Sequence, residues 1–177
     1  MILKRVILFV LTGILLTGTS SFRIPSPKEQ EYLLKAAFLY RFCDYVEWSN
    51  DDSDVFNIAI LGESGILPPL LDISKDKRTK NKRIVVRQYN NASEIGSCQM
   101  IFISRTYKLP VETVISKVDY KPVLVITEQR SDFDKGAHLN FLISYNKLKF
   151  EVNLKTTSRS GLKISSQLLQ HALVIKR

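Results

Sequence analysis

The chain has 177 residues, a formal charge of +9 and 45% hydrophobic residues. That composition suits one globular domain and excludes a disordered or multispanning chain. The start differs from the rest. Lys4 and Arg5, the compact apolar stretch Val6–Leu16 and the small residues Thr17–Ser21 stand in the order of a cleavable secretory signal peptide. The apolar stretch is shorter than the ~20 residues that a spanning helix needs, and no Cys follows it for lipid attachment. Three parts are expected: a signal peptide over 1–21, a linker over 22–27 and one domain over 28–177. Removing Lys4 and Arg5 leaves +7 on the exported part.

Ser26, Pro27 and Glu29 announce the first helix, as N-cap, first helical residue and reciprocal cap partner. The spacing of Leu34, Phe38, Phe42 and Tyr45 predicts a helix over 28–44 with that face in the core. The polar run Asn50–Asp54 ends it. A strand is expected over 56–61, a helix over 66–73 near Pro68 and Pro69, a strand over 83–87 and a short turn or helix over 93–96. Then follow a strand over 100–104, a helix over 111–118 and a strand over 123–127. The stretches 138–144 and 147–154 alternate in polarity around Tyr145-Asn146 and read as a β-hairpin. After Gly161, Ser165 or Ser166 caps a closing helix whose Leu168, Leu169, Ala172 and Leu173 face the core. The expected fold is α/β: a single domain with a roughly six-stranded mixed sheet, a parallel core with a C-terminal β-hairpin, flanked by helices.

Catalytic constellations are scarce. His138 and His171 are the only histidines, and no Cys or His lies at metal-ligand spacing from either, so no metal, cofactor or catalytic residue is expected. Neither a nucleophile elbow nor a phosphate loop occurs. Gly62-Glu63-Ser64-Gly65 follows a strand and could cradle an anion, but a tight turn needs glycine anyway. Asp51, Asp52 and Asp54 lack the spacing of a calcium loop. Lys75–Arg83 holds six basic residues and one acid. An export signal argues against nucleic acid, which leaves a solvated loop or contact with anionic lipid heads or an acidic partner. Asn91-Ala92-Ser93 matches a glycosylation sequon of a kind common by chance. Tyr40, Phe42, Tyr45 and Trp48 crowd the end of the first helix, as core or as a protein-contact patch. Oxidising conditions outside the cytoplasm allow a disulfide between Cys43 and Cys98; the alternative is two unpaired thiols.

Several segments in fixed order resemble the YfiR family: Lys35–Phe42 with Val46-Glu47-Trp48, Ile58–Gly62, Cys98–Ser104, Val125–Glu128, Gly136–Phe141, Lys149–Leu154 and Gly161–Leu169. The resemblance covers essentially the whole exported part. It implies a periplasmic, non-enzymatic α/β regulator that binds the periplasmic part of a membrane-bound diguanylate cyclase and represses it. Lower cyclic di-GMP then disfavours biofilm and exopolysaccharide. It also implies an outer-membrane lipoprotein that sequesters the repressor, a homodimer, and sensor kinases as alternative partners. With only two cysteines here, bridges found in relatives do not carry over. Strand alternation sends Glu151 and Asn153 away from Phe150 and Val152, and the last helix can show Lys163 and Gln167 to solvent. Glu151, Asn153, Lys163, Ser166 and Gln167, with Tyr40 and Trp48, are therefore the expected partner-binding residues; the alternative is that Asn153 and the serines only cap and turn. A rival function is a periplasmic small-ligand sensor, with its ligand at the Gly62–Gly65 turn or at the strand ends.

Overall fold

A computed structural model describes residues 23–48 and 53–177. The expected signal peptide, and Asp51 and Asp52 of the acidic run, lie outside the described residues.

The first helix, α1 (Pro27–Tyr45), begins as its cap sequence dictates. Ser26 Oγ accepts from the Glu29 backbone N–H (3.3 Å), and the Glu29 carboxylate accepts from Ser26 N–H (2.6 Å). The Ser26 amide holds the Glu29 carboxyl below its ordinary range. The buried stripe differs from the expected one: Lys35, Ala36, Leu39, Phe42 and Cys43 point inward, while Leu33 and Leu34 are exposed. Lys35 turns the helix, because its amine has an internal partner.

Beyond α1 come β1 (Val46–Trp48), β2 (Val55–Leu61), α2 (Leu67–Asp76), β3 (Arg78–Thr79) and β4 (Lys82–Tyr89). A 3-10 turn (Ala92–Glu94) leads to β5 (Met100–Ile103), α3 (Val111–Val118), β6 (Leu124–Thr127) and α4 (Arg130–Asp134). The chain then forms β7 (Leu139–Ser144), β8 (Lys147–Asn153), α5 (Leu154–Arg159), β9 (Leu162–Ile164), α6 (Ser166–Leu169) and β10 (Val174–Lys176). The main sheet has eight strands in the order β10-β8-β7-β6-β5-β2-β4-β3, and β1 and β9 form a separate antiparallel ribbon. Strands β4, β2, β5, β6 and β7 run parallel; the hairpins β3–β4 and β7–β8 are antiparallel.

All six expected strands exist in the main sheet, whose two further strands are the short edges β3 and β10; the ribbon strands β1 and β9 are also additional. The basic stretch 75–83 ends α2 at Asp76 and then folds into a two-residue hairpin over 78–83 rather than an open loop. Lys80 and Asn81 both have positive φ (47° and 66°), as do Tyr145 and Asn146 (49° and 57°). Two such residues in succession make the hairpin turn whose twist matches its strands. The closing helix is one turn, Ser166–Leu169, so His171 lies beyond it and Leu173 is exposed. The chain instead adds β10 beside β8.

The central strands are buried on both faces, as a parallel sheet requires. Phe56, Ile58, Ile60, Phe102, Leu124 and Ile126 pack toward α1 and α2; Ala59, Leu61, Ile101, Ile103 and Val125 pack toward α3. On the α1 side, Phe38, Phe42, Phe141 and Phe150 cluster with ring centroids 5.3–6.0 Å apart.

Candidate interaction surface

The sheet changes strand order between β2 and β5, and in such sheets ligands settle beyond the carboxyl ends at that point. Here the inner part of that place is filled. Gly62 sits at φ +84°, and a Cβ on it would meet Ser104 Oγ and Thr106 Oγ1 at 2.8 Å. Both hydroxyls donate to the Glu63 carbonyl, each at 2.8 Å. The Tyr32 ring covers Gly65, 2.6 Å from where a Cβ would stand. Alongside, Lys35 is 1% exposed and ion-paired with Glu31 and with the fully buried Glu128 carboxylate. Arg105 donates its backbone N–H to Glu128 (3.1 Å), and its guanidinium reaches Glu31 at 3.4 Å. This cluster clamps α1 over the carboxyl end. The Gly62–Gly65 turn is thus packed on its inner side, and an open depression of about 550 Å³ remains outside it, lined by Tyr32, Glu63, Ser64, Gly65 and Thr106.

A second polar network lies on the sheet face beneath α4 and beside β10. Thr127 Oγ1 donates to Asn140 Oδ1 (3.0 Å), and Asn140 Nδ2 donates to Glu151 Oε2 (3.0 Å). His138 Nδ1 accepts from the Val125 N–H (3.0 Å), which leaves the ring proton on Nε2, facing Ser160 Oγ at 3.2 Å. Burial, reinforced by the Arg159 guanidinium, lowers His138 to about 4. These facts correct the expected exposure of two residues. Glu151 and Asn153 do point away from Phe150, but they are only 6% and 3% exposed. The reason is β10, which makes β8 an interior strand. Asn153 caps α5, its Oδ1 accepting from the Thr156 N–H at 3.2 Å.

The other five expected residues are at the surface. Lys163, Ser166 and Gln167 are exposed; Tyr40 and Trp48 are half-buried. They gather near the amino end of the sheet through the β1–β9 ribbon, in which Trp48 faces Leu162 and Glu47 faces Lys163. The Ser165 N–H donates to the Tyr45 carbonyl (2.9 Å), joining the start of α6 to the same patch. The basic hairpin closes it from the other side. Tyr40 Oη donates to the Arg78 carbonyl (3.2 Å), Thr79 Oγ1 to Asp44 (2.9 Å), and Lys80 Nζ to the Val46 carbonyl (2.8 Å). Lys80 also lies 5.7 Å from the Trp48 ring centre. Trp48 donates Nε1–H to the Gln99 carbonyl (2.9 Å) and stands edge-on to Phe56. Of the four aromatics crowded here, Phe42 is core and the other three line the surface. The hairpin's contribution had one sequence signal, its charge run.

Cys43 and Cys98 are separate thiols, which corrects the disulfide alternative. Cys43 belongs to the core beneath α1, and Cys98 packs against the core on the other face of the sheet. Burial pushes both up, Cys43 with help from the Asp44 carboxylate and Cys98 to about 11, so neither is a ready nucleophile. Asn91–Ser93 lies at the exposed 3-10 turn. Among the described residues no three His, Cys, Asp or Glu side chains gather in a way that could hold a metal ion. No helix among them is long and apolar enough to cross a membrane.

Residues 32–173 match the model of a family described as YfiR/HmsC-like. A search of curated proteins returned no match. Among solved structures, a conserved domain protein from Vibrio cholerae O1 biovar El Tor is 10% identical, with a TM-score of 0.47 over 82% of this chain. The chain spans 60% of that protein's length.

Proposed function

The chain belongs to the YfiR/HmsC-like family, and from that premise we propose that it represses a membrane-bound diguanylate cyclase, or a related sensor kinase, by binding its periplasmic part. The family supports a periplasmic regulator of cyclic di-GMP signalling in general, one that works with a membrane partner. In the finer reading, residues 1–21 direct export and are removed, and the domain acts without catalysis. It stabilises the inactive state of its partner by binding that state more tightly.

The observation that carries the docking site is the continuous surface of Tyr40, Tyr45 and Trp48 with Lys80 and Lys163. Aromatic side chains held by backbone hydrogen bonds present contact area at little entropic cost, and such residues anchor interfaces. Arg78, Lys80 and Lys163 are exposed, so the matching partner surface is acidic and association weakens with salt. Deleting the gene and measuring cyclic di-GMP tests the reading. A rise is expected; an unchanged level in cells that normally express the protein overturns cyclase repression.

A further inference from the structure

At the amino ends of β5 and β6 lies a cavity of about 600 Å³, within the range of small-molecule sites. Its walls come from α3, the segment 92–99 and Trp48. Ile95, Ile101, Val114, Val118 and Val123 give it an apolar wall, and all five pack in the core beneath α3, while Ser93, Ser97 and Gln99 line the polar remainder. Lys117 and Lys121, both exposed, line it as well. The acids of this region are engaged elsewhere: Glu112 with Lys135 (3.6 Å), Asp119 with Arg159 (2.9 Å) and Glu94 with the Asn91 amide (2.9 Å). Among the described residues no ion pair occupies Lys117 or Lys121. A chamber with one apolar wall and two unneutralised cations suits a specific kind of molecule, one with an apolar body and a single negative head.

We propose that this cavity binds an amphipathic monoanion, a carboxylate with an aliphatic or aromatic body. The body lies against Val114 and Val118, and the head meets Lys117 and Lys121. Trp48 belongs both to this cavity and to the docking surface. Resting on the partner reading above, occupancy shifts Trp48 and with it the affinity for the partner. By linkage the partner changes the ligand's affinity by the same factor.

Trp48 is the only tryptophan in the chain, so its emission reports binding without a label or a partner. The purified exported protein is titrated with decanoate below its micelle concentration, with acetate as a head lacking the body. A Lys117→Gln/Lys121→Gln double variant is titrated in parallel. A saturable change is expected with decanoate and none with acetate, and decanoate binding is at least ten-fold weaker in the double variant. Three results each overturn the proposal: no saturable change with decanoate, equal binding of acetate, or equal decanoate affinity in both proteins. Because no partner is present, failure here leaves the cyclase reading standing. An unchanged cyclic di-GMP level after gene deletion likewise leaves this site standing.

Discussion

The two ends of the central sheet are built to opposite plans. At the carboxyl ends of the parallel strands, where α/β sheets ordinarily hold ligands, Ser104, Thr106 and Tyr32 crowd the inner crevice, leaving only an open depression outside it, and the Lys35–Glu128 pair locks α1 across it. At the amino ends, the β1–β9 ribbon, the basic hairpin and the cavity leave aromatic and cationic groups facing outward. The difference teaches that the polar residues nearest the strand ends are not interchangeable as site candidates. Lys35, Glu128, Asn140, Glu151 and His138 bond to one another or to the backbone inside the protein. Lys80 and Lys163 are exposed, and Trp48 half-exposed, where a partner can reach them.

If the carboxyl end is a clamp, breaking it has the largest effect. Lys35→Ala leaves the Glu128 carboxylate buried without its amine. Such losses cost about 3–5 kcal/mol, whereas an apolar replacement of both partners is often near neutral. Urea unfolding should show that loss for Lys35→Ala and recovery of most of it in Lys35→Met/Glu128→Met. A loss below about 1 kcal/mol in the single variant sinks the clamp.

The His138 network gives the next effect, and it depends on pH. The fold lowers this imidazole from 6.5 to about 4, so the unfolded chain binds the extra proton first. Its contribution is present in full above pH 6.5 and is lost as pH falls toward 4. The full span is on the order of 3 kcal/mol. Unfolding free energies of the wild type and His138→Gln between pH 7.5 and pH 4 check this. Their difference should shrink over that window, and a constant difference contradicts the assigned protonation.

These two networks also mark the limit of what the sequence discloses. The six main strands are legible because apolar runs and alternation are local signals, and the cap of α1 is legible because Ser26-Pro27-x-Glu29 is a local device. The Lys35–Glu128 pair joins residues 93 positions apart, and no local pattern predicts it. The expected helix face runs through Leu34, which is exposed, because nothing local shows that Lys35 has a buried partner. Alternation sends Glu151 and Asn153 to the face opposite Phe150, but it tells only which face a residue takes, not what covers that face. The elements α4, α5, β9 and β10, each three to six residues long, are too short to carry a period. Aromatic crowding at the end of α1 and the basic run are local signals, and both lie at the amino-end surface.

Charge reversal at that surface sharpens the comparison next. Arg78→Glu with Lys163→Glu alters two exposed side chains. Stability should move by no more than about 0.5 kcal/mol. Affinity for the periplasmic part of the partner, measured by calorimetry, should fall about ten-fold, mostly in the association rate. Raising the salt should weaken wild-type binding more than that of the variant. Affinity unchanged by the reversal places the partner elsewhere.

The smallest effect comes from a pair of matched turns. Lys80-Asn81 and Tyr145-Asn146 share the same backbone signature, two successive residues at positive φ, and they close hairpins at opposite ends of the sheet. Asn-Gly suits that turn better than either natural pair. Tyr145 is 98% exposed, so Tyr145→Asn/Asn146→Gly removes no packed group and should raise stability by about 0.5–1 kcal/mol. Partner affinity should stay as it is. Lys80→Asn/Asn81→Gly relieves the same strain but deletes the hydrogen bond to the Val46 carbonyl and the cation beside Trp48. Those losses are of comparable size, so stability should barely change, while Trp48 emission shifts and partner binding weakens several-fold. Equal weakening by both variants would mean that the two ends do not differ in role. An effect confined to the Lys80 turn ties the function to the amino end by a substitution that leaves the fold's energy nearly untouched.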